Sequence, residues 1–109
     1  MKITPLDKHE VALDQLADRL WVKNREVYDH VPIVDRNGRT VSDADIQTLD
    51  YRNGKIYLTR YEVKTGYNGR KSARHQAREW YKLFDGIGFI VPNFVYYNPV
   101  EGECERWKP

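Results

Sequence analysis

The chain has 109 residues, with 18 Lys or Arg, 16 Asp or Glu, and a formal net charge of +2. Its single cysteine, Cys104, excludes an internal disulfide framework and a cysteine-built zinc or iron–sulfur centre, and no apolar run approaches membrane-spanning length. The charge is unevenly spread: residues 1–51 carry 7 basic and 10 acidic side chains, residues 52–82 carry 9 and 2, and residues 83–109 carry 2 and 4, so a basic middle suited to an anionic partner is flanked by acid.

In chain order, the first expected element is a helix from about Leu6 to Trp21. Val11 or Ala12, Leu13, Leu16, Ala17, Leu20 and Trp21 make its apolar stripe. Thr4-Pro5 is its start signal, with Asp7 in the first turn, where a carboxylate favours the dipole. Asn24 can take the left-handed conformation that ends a helix. A three-stranded antiparallel meander follows, over about 27–34, 41–51 and 55–64. Pro32 puts the end of the first strand at an edge, and Asn37-Gly38 turns into the second. Asp29 and His30 lie on the first strand, where a lone His is ordinarily a surface or packed residue. A second helix is expected from Arg70 or Ser72 to Phe84, with Ala73, Ala77, Trp80, Tyr81 and Phe84 on its apolar stripe and Asp85-Gly86 ending it. Ile87–Val91 then reads as a short buried strand, parallel to the third and broken by Pro92-Asn93. Phe94–Tyr97 and Glu103–Trp107 read as a small C-terminal hairpin without chemistry. The expected fold is one α/β domain over residues 1–109, a mixed central sheet with flanking helices in the order helix-strand-strand-strand-helix-strand. Met1–Pro5 has no apolar leader, so the expected setting is a reducing, intracellular, cytoplasmic compartment.

The second and third strands hold the chemistry. Asn53-Gly54 is a two-residue hairpin signal, because both central residues of the favoured turn need φ > 0. In that register Arg52 pairs with Lys55, Asp45 opposes Glu62, and Asp43 opposes Lys64. Opposed residues, and residues two apart along a strand, share a face. Asp43, Asp45, Glu62 and Lys64 are therefore expected on one face at one end of the hairpin. Three carboxylates and an ammonium make a poor core, and they suit a hard divalent cation such as Mg²⁺ or Mn²⁺.

An acid on one strand and Glu62-Val63-Lys64 on the next resemble the catalytic centre of the PD-(D/E)XK nuclease superfamily. The resemblance covers about residues 7–91, and Ala44 stands where the family usually has Pro. It implies a restriction-endonuclease-like core, a metal held by Asp45, Glu62 and the Val63 carbonyl, and a first-helix acid helping at the site, Glu10 or, as the alternative, Asp14. Gln76 followed by Trp80-Tyr81 resembles the Gln-x-x-x-Tyr element of the RecB-like branch, where the Gln points to the metal and the helix lies along DNA. Small stand-alone enzymes of this kind include archaeal Holliday-junction resolvases, which are homodimers, and virus-encoded RecB-like nucleases.

The expected activity is metal-dependent hydrolysis of DNA phosphodiesters, with RNA an open alternative and no membrane partner. Lys64 serves as base for the attacking water or as stabiliser of the transition state. Arg60, Arg70, Lys71, Arg74 and Arg78 are the expected phosphate contacts, with Tyr67 and Trp80 as stacking surfaces. The competing reading is a non-catalytic nucleic-acid-binding module that keeps the fold.

Overall fold

The computed structural model describes residues 5–35, 37–67 and 69–109. Thr4, expected at the helix start, lies outside the described residues, as do Arg36 and Asn68 of the expected turns and the side chain of Asp7. The elements are helix α1 (Pro5–Leu20), strands β1 (Arg25–Val34), β2 (Thr40–Arg52) and β3 (Lys55–Val63), helix α2 (Arg70–Leu83), and strands β4 (Ile90–Asn98) and β5 (Glu103–Trp107). They form a mixed α/β fold around one five-stranded sheet in the order β1-β2-β3-β4-β5. All neighbours are antiparallel except β3 and β4.

Alternation along β3 separates two cores. Val63 joins Ala12, Leu13, Leu16 and Ile46 in the cluster under α1. Leu58 joins Ile33, Ala44, Ala77, Trp80 and Phe94 in the cluster under α2. Odd and even positions of a strand face opposite sides, so the two helices cover opposite faces of the sheet. Burying Leu13, Trp80 and Phe94 almost completely stabilises the fold by about 2–3 kcal/mol for each side chain. The first helix stops before the expected Trp21, which is 71% exposed. Asn24 does take a left-handed φ of 69°. It does so four residues past the helix, in the turn whose Arg25 N–H bonds the Val22 carbonyl at 3.2 Å.

The β2–β3 hairpin has the expected loop. Asn53 and Gly54 sit at φ 52° and 75°, and the ladder runs from Arg52↔Lys55 to Ile46↔Tyr61. At its far end the alternation breaks. Ile46 packs under α1 while Ala44, two residues away, packs under α2. On β1 the same level is marked by His30 at φ 49°, between the pairs Asp29↔Ile46 and Val31↔Ala44. Both strands change face there, so Asp45 stands at a kink. Asp43 pairs with Pro32 of β1, and the Lys64 N–H bonds the Tyr97 carbonyl of β4 at 2.9 Å, which replaces the expected Asp43–Lys64 opposition.

The expected buried strand is displaced. Ile87–Phe89 form turns, with the Ile87 N–H on the Phe84 carbonyl at 3.1 Å, and Phe89 is 59% exposed. The parallel partner of β3 is Ile90–Asn98, which runs through Pro92. Pro92 is tolerated because it lies opposite Leu58 on one side, while β5 begins pairing only at Phe94↔Trp107 on the other. The order is therefore helix-strand-strand-strand-helix-strand-strand: the expected hairpin strand Glu103–Trp107 is β5 of the central sheet, and Phe94–Tyr97 is the second half of β4 rather than a separate strand. No described helix is long and apolar enough to cross a membrane.

Candidate active site

The C-terminal end of β3 meets His9 of α1 and Gly69 at the start of α2. Glu62 is 2% exposed, and its neighbour two residues back, Arg60, is fully buried on the same face. The Arg60 Nε donates to Glu62 Oε1 at 2.8 Å. Its guanidinium also donates to Ser42 Oγ at 2.7 Å and to the Asp43 carbonyl at 3.2 Å. The rings of Trp80 and Phe94 lie 5.8 and 5.7 Å away. One guanidinium nitrogen, Nη1, has no partner among the described residues. Burial and, next, the charge of Asp45 push the Glu62 carboxyl up to about 7, against the pull of Arg60 and Lys64. A second negative charge in the neighbourhood opposes the ionisation of a buried carboxyl.

Asp45 occupies the kink. Its Oδ2 accepts the Val63 N–H at 2.8 Å, so a side chain takes over from the backbone where the β2–β3 ladder ends. The same oxygen lies 3.6 Å from His9 Nε2. That nitrogen is 3.0 Å from the Val63 carbonyl. A carbonyl only accepts, so His9 carries its proton on Nε2 and donates it there. The N–H of His9 thus sits between the Asp45 carboxylate and the Val63 carbonyl, two of the three groups expected to hold a cation. Glu10 stands further out. Its Oε2 is 3.3 Å from His30 Nε2 and its Oε1 is 4.0 Å from His9 Nδ1. Asp14 is exposed.

Lys64 is half-buried and makes no ion pair among the described residues. Its stem is held by Gly69. A Cβ at position 69 would lie 2.7 Å from Lys64 Cγ and 2.9 Å from Lys64 Cβ, so the loop closes over Lys64 only because that residue has no side chain. Gly69 then begins α2 at φ −72°, without a side-chain cap. On α2, the Gln76 Oε1 is shut away from water with no donor among the described residues.

Several expected nucleic-acid contacts change role. Arg60 is fully buried and spent on Glu62, Ser42 and Asp43, and it cannot reach a phosphate. Trp80 is 1% exposed, with its indole N–H on the Asn93 carbonyl at 2.9 Å; it is core, not a stacking surface. Arg70 binds Glu103 and Glu105 and lies over the Tyr96 and Trp107 rings, which ties α2 to β5. Lys71, Arg74 and Arg78 stay exposed on α2, and Tyr67 is exposed on its loop. Asp50, the other acid of β2, opposes Tyr57 and pairs with Arg25 at 2.9 Å, away from the site.

His9, Ser42 and Gly69 were not singled out from the sequence. A signal for His9 existed: it stands four residues before Leu13 and seven before Leu16, on the stripe of α1 that faces the sheet. Arg60 was legible too, since a residue two before Glu62 must share its face. Among the described residues no three His, Cys, Asp or Glu side chains are preassembled as a metal-ligand set. Compared with protein-family models, curated proteins and solved structures, the chain matches none of them.

Proposed function

We propose that the chain is a divalent-metal-dependent nuclease that hydrolyses DNA phosphodiesters, with its centre at Asp45, Glu62, Val63 and Lys64. The observation that carries this reading is the acid where the ladder ends: Asp45 Oδ2 accepts the Val63 N–H at 2.8 Å, which sets its carboxylate beside the Glu62-Val63-Lys64 run. The His9 N–H, 3.0 Å from the Val63 carbonyl and 3.6 Å from Asp45 Oδ2, supplies positive charge density where two carboxylates and a carbonyl concentrate negative charge. The donors are all oxygen, the preference of Mg²⁺ and Mn²⁺. Asp45, Glu62 and the Val63 carbonyl would hold the ion, and His9 would have to move aside. The ion's contribution is to acidify a bound water and to offset charge on the phosphate oxygens.

The chain's own residues do the rest. Lys64, left without a carboxylate partner and steadied by the Gly69 backbone, holds or takes the proton of the attacking water, or faces the charge developing on the phosphate. Arg60 keeps Glu62 oriented from below through the 2.8 Å bond. Gln76, with an unpartnered buried oxygen, is suited to a water or ligand donor near α2. Exposed Lys71, Arg74 and Arg78 contact backbone phosphates.

A second reading has its own observation. Arg60 already pairs with Glu62, and His9 already bonds the Val63 carbonyl, so two of the three expected ion-holding groups have protein partners. That pattern favours a nucleic-acid-binding module without cleavage. Incubating the purified protein with linear, circular and branched DNA and with RNA, with and without Mn²⁺, separates the two. Cleavage that requires Mn²⁺ and disappears in Lys64→Ala supports the nuclease. Binding without cleavage of any substrate supports the module.

A further inference from the structure

A second basic feature lies outside the candidate centre. Between α2 and the end of β5 runs an open cleft of about 810 Å³. Its cationic lining is Arg74, Arg78, Lys82, Arg106 and Lys108, against the single acidic side chain of Asp85. Among the described residues, Arg74, Arg78, Arg106 and Lys108 make no ion pair. Lys82 has only Glu79, at 3.7 Å and well exposed, a pairing of little worth in water. An excess of unpaired cations in one concave place raises the local concentration of a polyanion.

The cleft is also preformed and partly aromatic. Tyr81 and Trp107 line it. The Tyr81 hydroxyl donates to the Trp107 carbonyl at 2.5 Å and accepts the Phe94 N–H at 3.0 Å, which fixes α2 against β4 and β5. Trp107 is backed by Tyr96 and Phe94 in stacked geometry at 5.0 and 5.8 Å. Arg74, Arg78 and Lys82 recur every four residues, about 6 Å apart along the helix, a spacing on the scale of one nucleotide of backbone. A duplex would present only phosphates to such a cleft. A strand with unpaired bases can use both the cations and the half-buried Tyr81 and Trp107, the latter topped by the Arg74 guanidinium at 5.9 Å.

We propose that the α2–β5 cleft binds a single-stranded segment of nucleic acid, with its backbone along Arg74, Arg78 and Lys82 on the helix wall and the exposed Arg106 and Lys108 at the opposite rim. The assignment shares with the nuclease reading the premise that the ligand is nucleic acid. It adds that the substrate carries a single-stranded arm, and it makes the C-terminal strand part of the binding surface.

The test is fluorescence anisotropy with a labelled oligo(dT) of roughly 20 nucleotides, in EDTA so that no cleavage occurs. Five phosphate contacts on a single strand give a slope of log K against log salt of about −3.5. Arg106→Ala/Lys108→Ala should flatten that slope to about −2 and weaken binding about tenfold or more at low salt. Arg78→Ala/Lys82→Ala should act alike, and Arg106→Lys should restore most of the loss at position 106. All these side chains are exposed or at the rim, so unchanged circular dichroism is expected to accompany each variant. Wild-type affinity and slope in Arg106→Ala/Lys108→Ala would overturn the proposal, as would equal or tighter binding of the matching duplex or no binding of oligo(dT) at all. Because no metal is present, the outcome is independent of cleavage: binding lost in the variants, in a protein that never cleaves, would uphold the cleft and sink the nuclease.

Discussion

At the scale of single residues, the buried pair Arg60–Glu62 sets what the candidate centre can do. Burial and Asp45 raise the Glu62 carboxyl from 4.5 to about 7. A raised folded pKa stabilises the protein fully below the unfolded value, and that contribution is lost as pH rises through the folded one. The melting temperature should therefore fall between about pH 4.5 and pH 7 in EDTA. In Glu62→Gln this pH dependence should largely vanish. Divalent metal, which binds the ionised form, should bind more tightly as pH rises through the same window. Isothermal titration with Mn²⁺ at pH 6 and pH 8 checks the second half, and equal affinity at both would remove Glu62 from the ligand set. Arg60→Ala removes the cation that holds Glu62 down, so Glu62 should take up a proton, and the loss of stability by urea unfolding should be larger at pH 8 than at pH 5. Gly69→Ala probes Lys64 from the other side. The new Cβ would lie 2.7 Å from Lys64 Cγ, so Lys64 must shift. The predicted result is a lower kcat with DNA affinity nearly unchanged, the pattern also expected for Lys64→Ala.

At the scale of elements, the β2–β3 hairpin carries the account. Asn53-Gly54 announced a two-residue turn, and the turn determines the register over seven pairs. Gly54 at φ 75° should lose about 1–2 kcal/mol on substitution by Ala, read as a lower urea midpoint. Asp50, which pairs with Arg25 at 2.9 Å, should tolerate Asn with cleavage intact and at most about 1 kcal/mol of stability lost; loss of cleavage in a folded Asp50→Asn would mean Asp45 is the wrong acid. The two helices were legible from their apolar stripes, because periodicity reports a face directly. Three features were not. The face change at Asp45 and His30 follows from both strands bending together, and period-two reasoning assumes a strand that does not bend. The displaced fourth strand followed from reading Pro92 as a stop, when it sits on a stretch whose outer edge has no partner. The roles of His9 and Arg60 depend on which residues of separate elements meet: a pattern of oxygen ligands leaves out a histidine, and Arg60, expected at a phosphate, is instead the buried partner of Glu62.

At the scale of the whole molecule, the acidic first half of the sequence and its basic middle meet where β3 ends. Asp45 and Glu62 lie where β3 ends, Gly69 at the start of α2 touches Lys64, and the unpaired cations of α2 continue toward β5. A strand held along α2 would have one end near Lys64, and that arrangement joins binding and chemistry in the account. Removing cations from α2 should therefore change affinity and its salt dependence, while removing Lys64 should change turnover. The most direct measurement is single-turnover cleavage of labelled DNA with Mn²⁺, Mg²⁺ or EDTA by the wild type, Asp45→Asn and Lys64→Ala, with DNA affinity measured in parallel in EDTA. The account predicts cleavage only with metal, loss of at least about a hundredfold in rate in both variants, and affinities close to wild type. Cleavage that persists in Asp45→Asn or in EDTA, or wild-type protein that binds DNA and never cuts it, would contradict the nuclease reading.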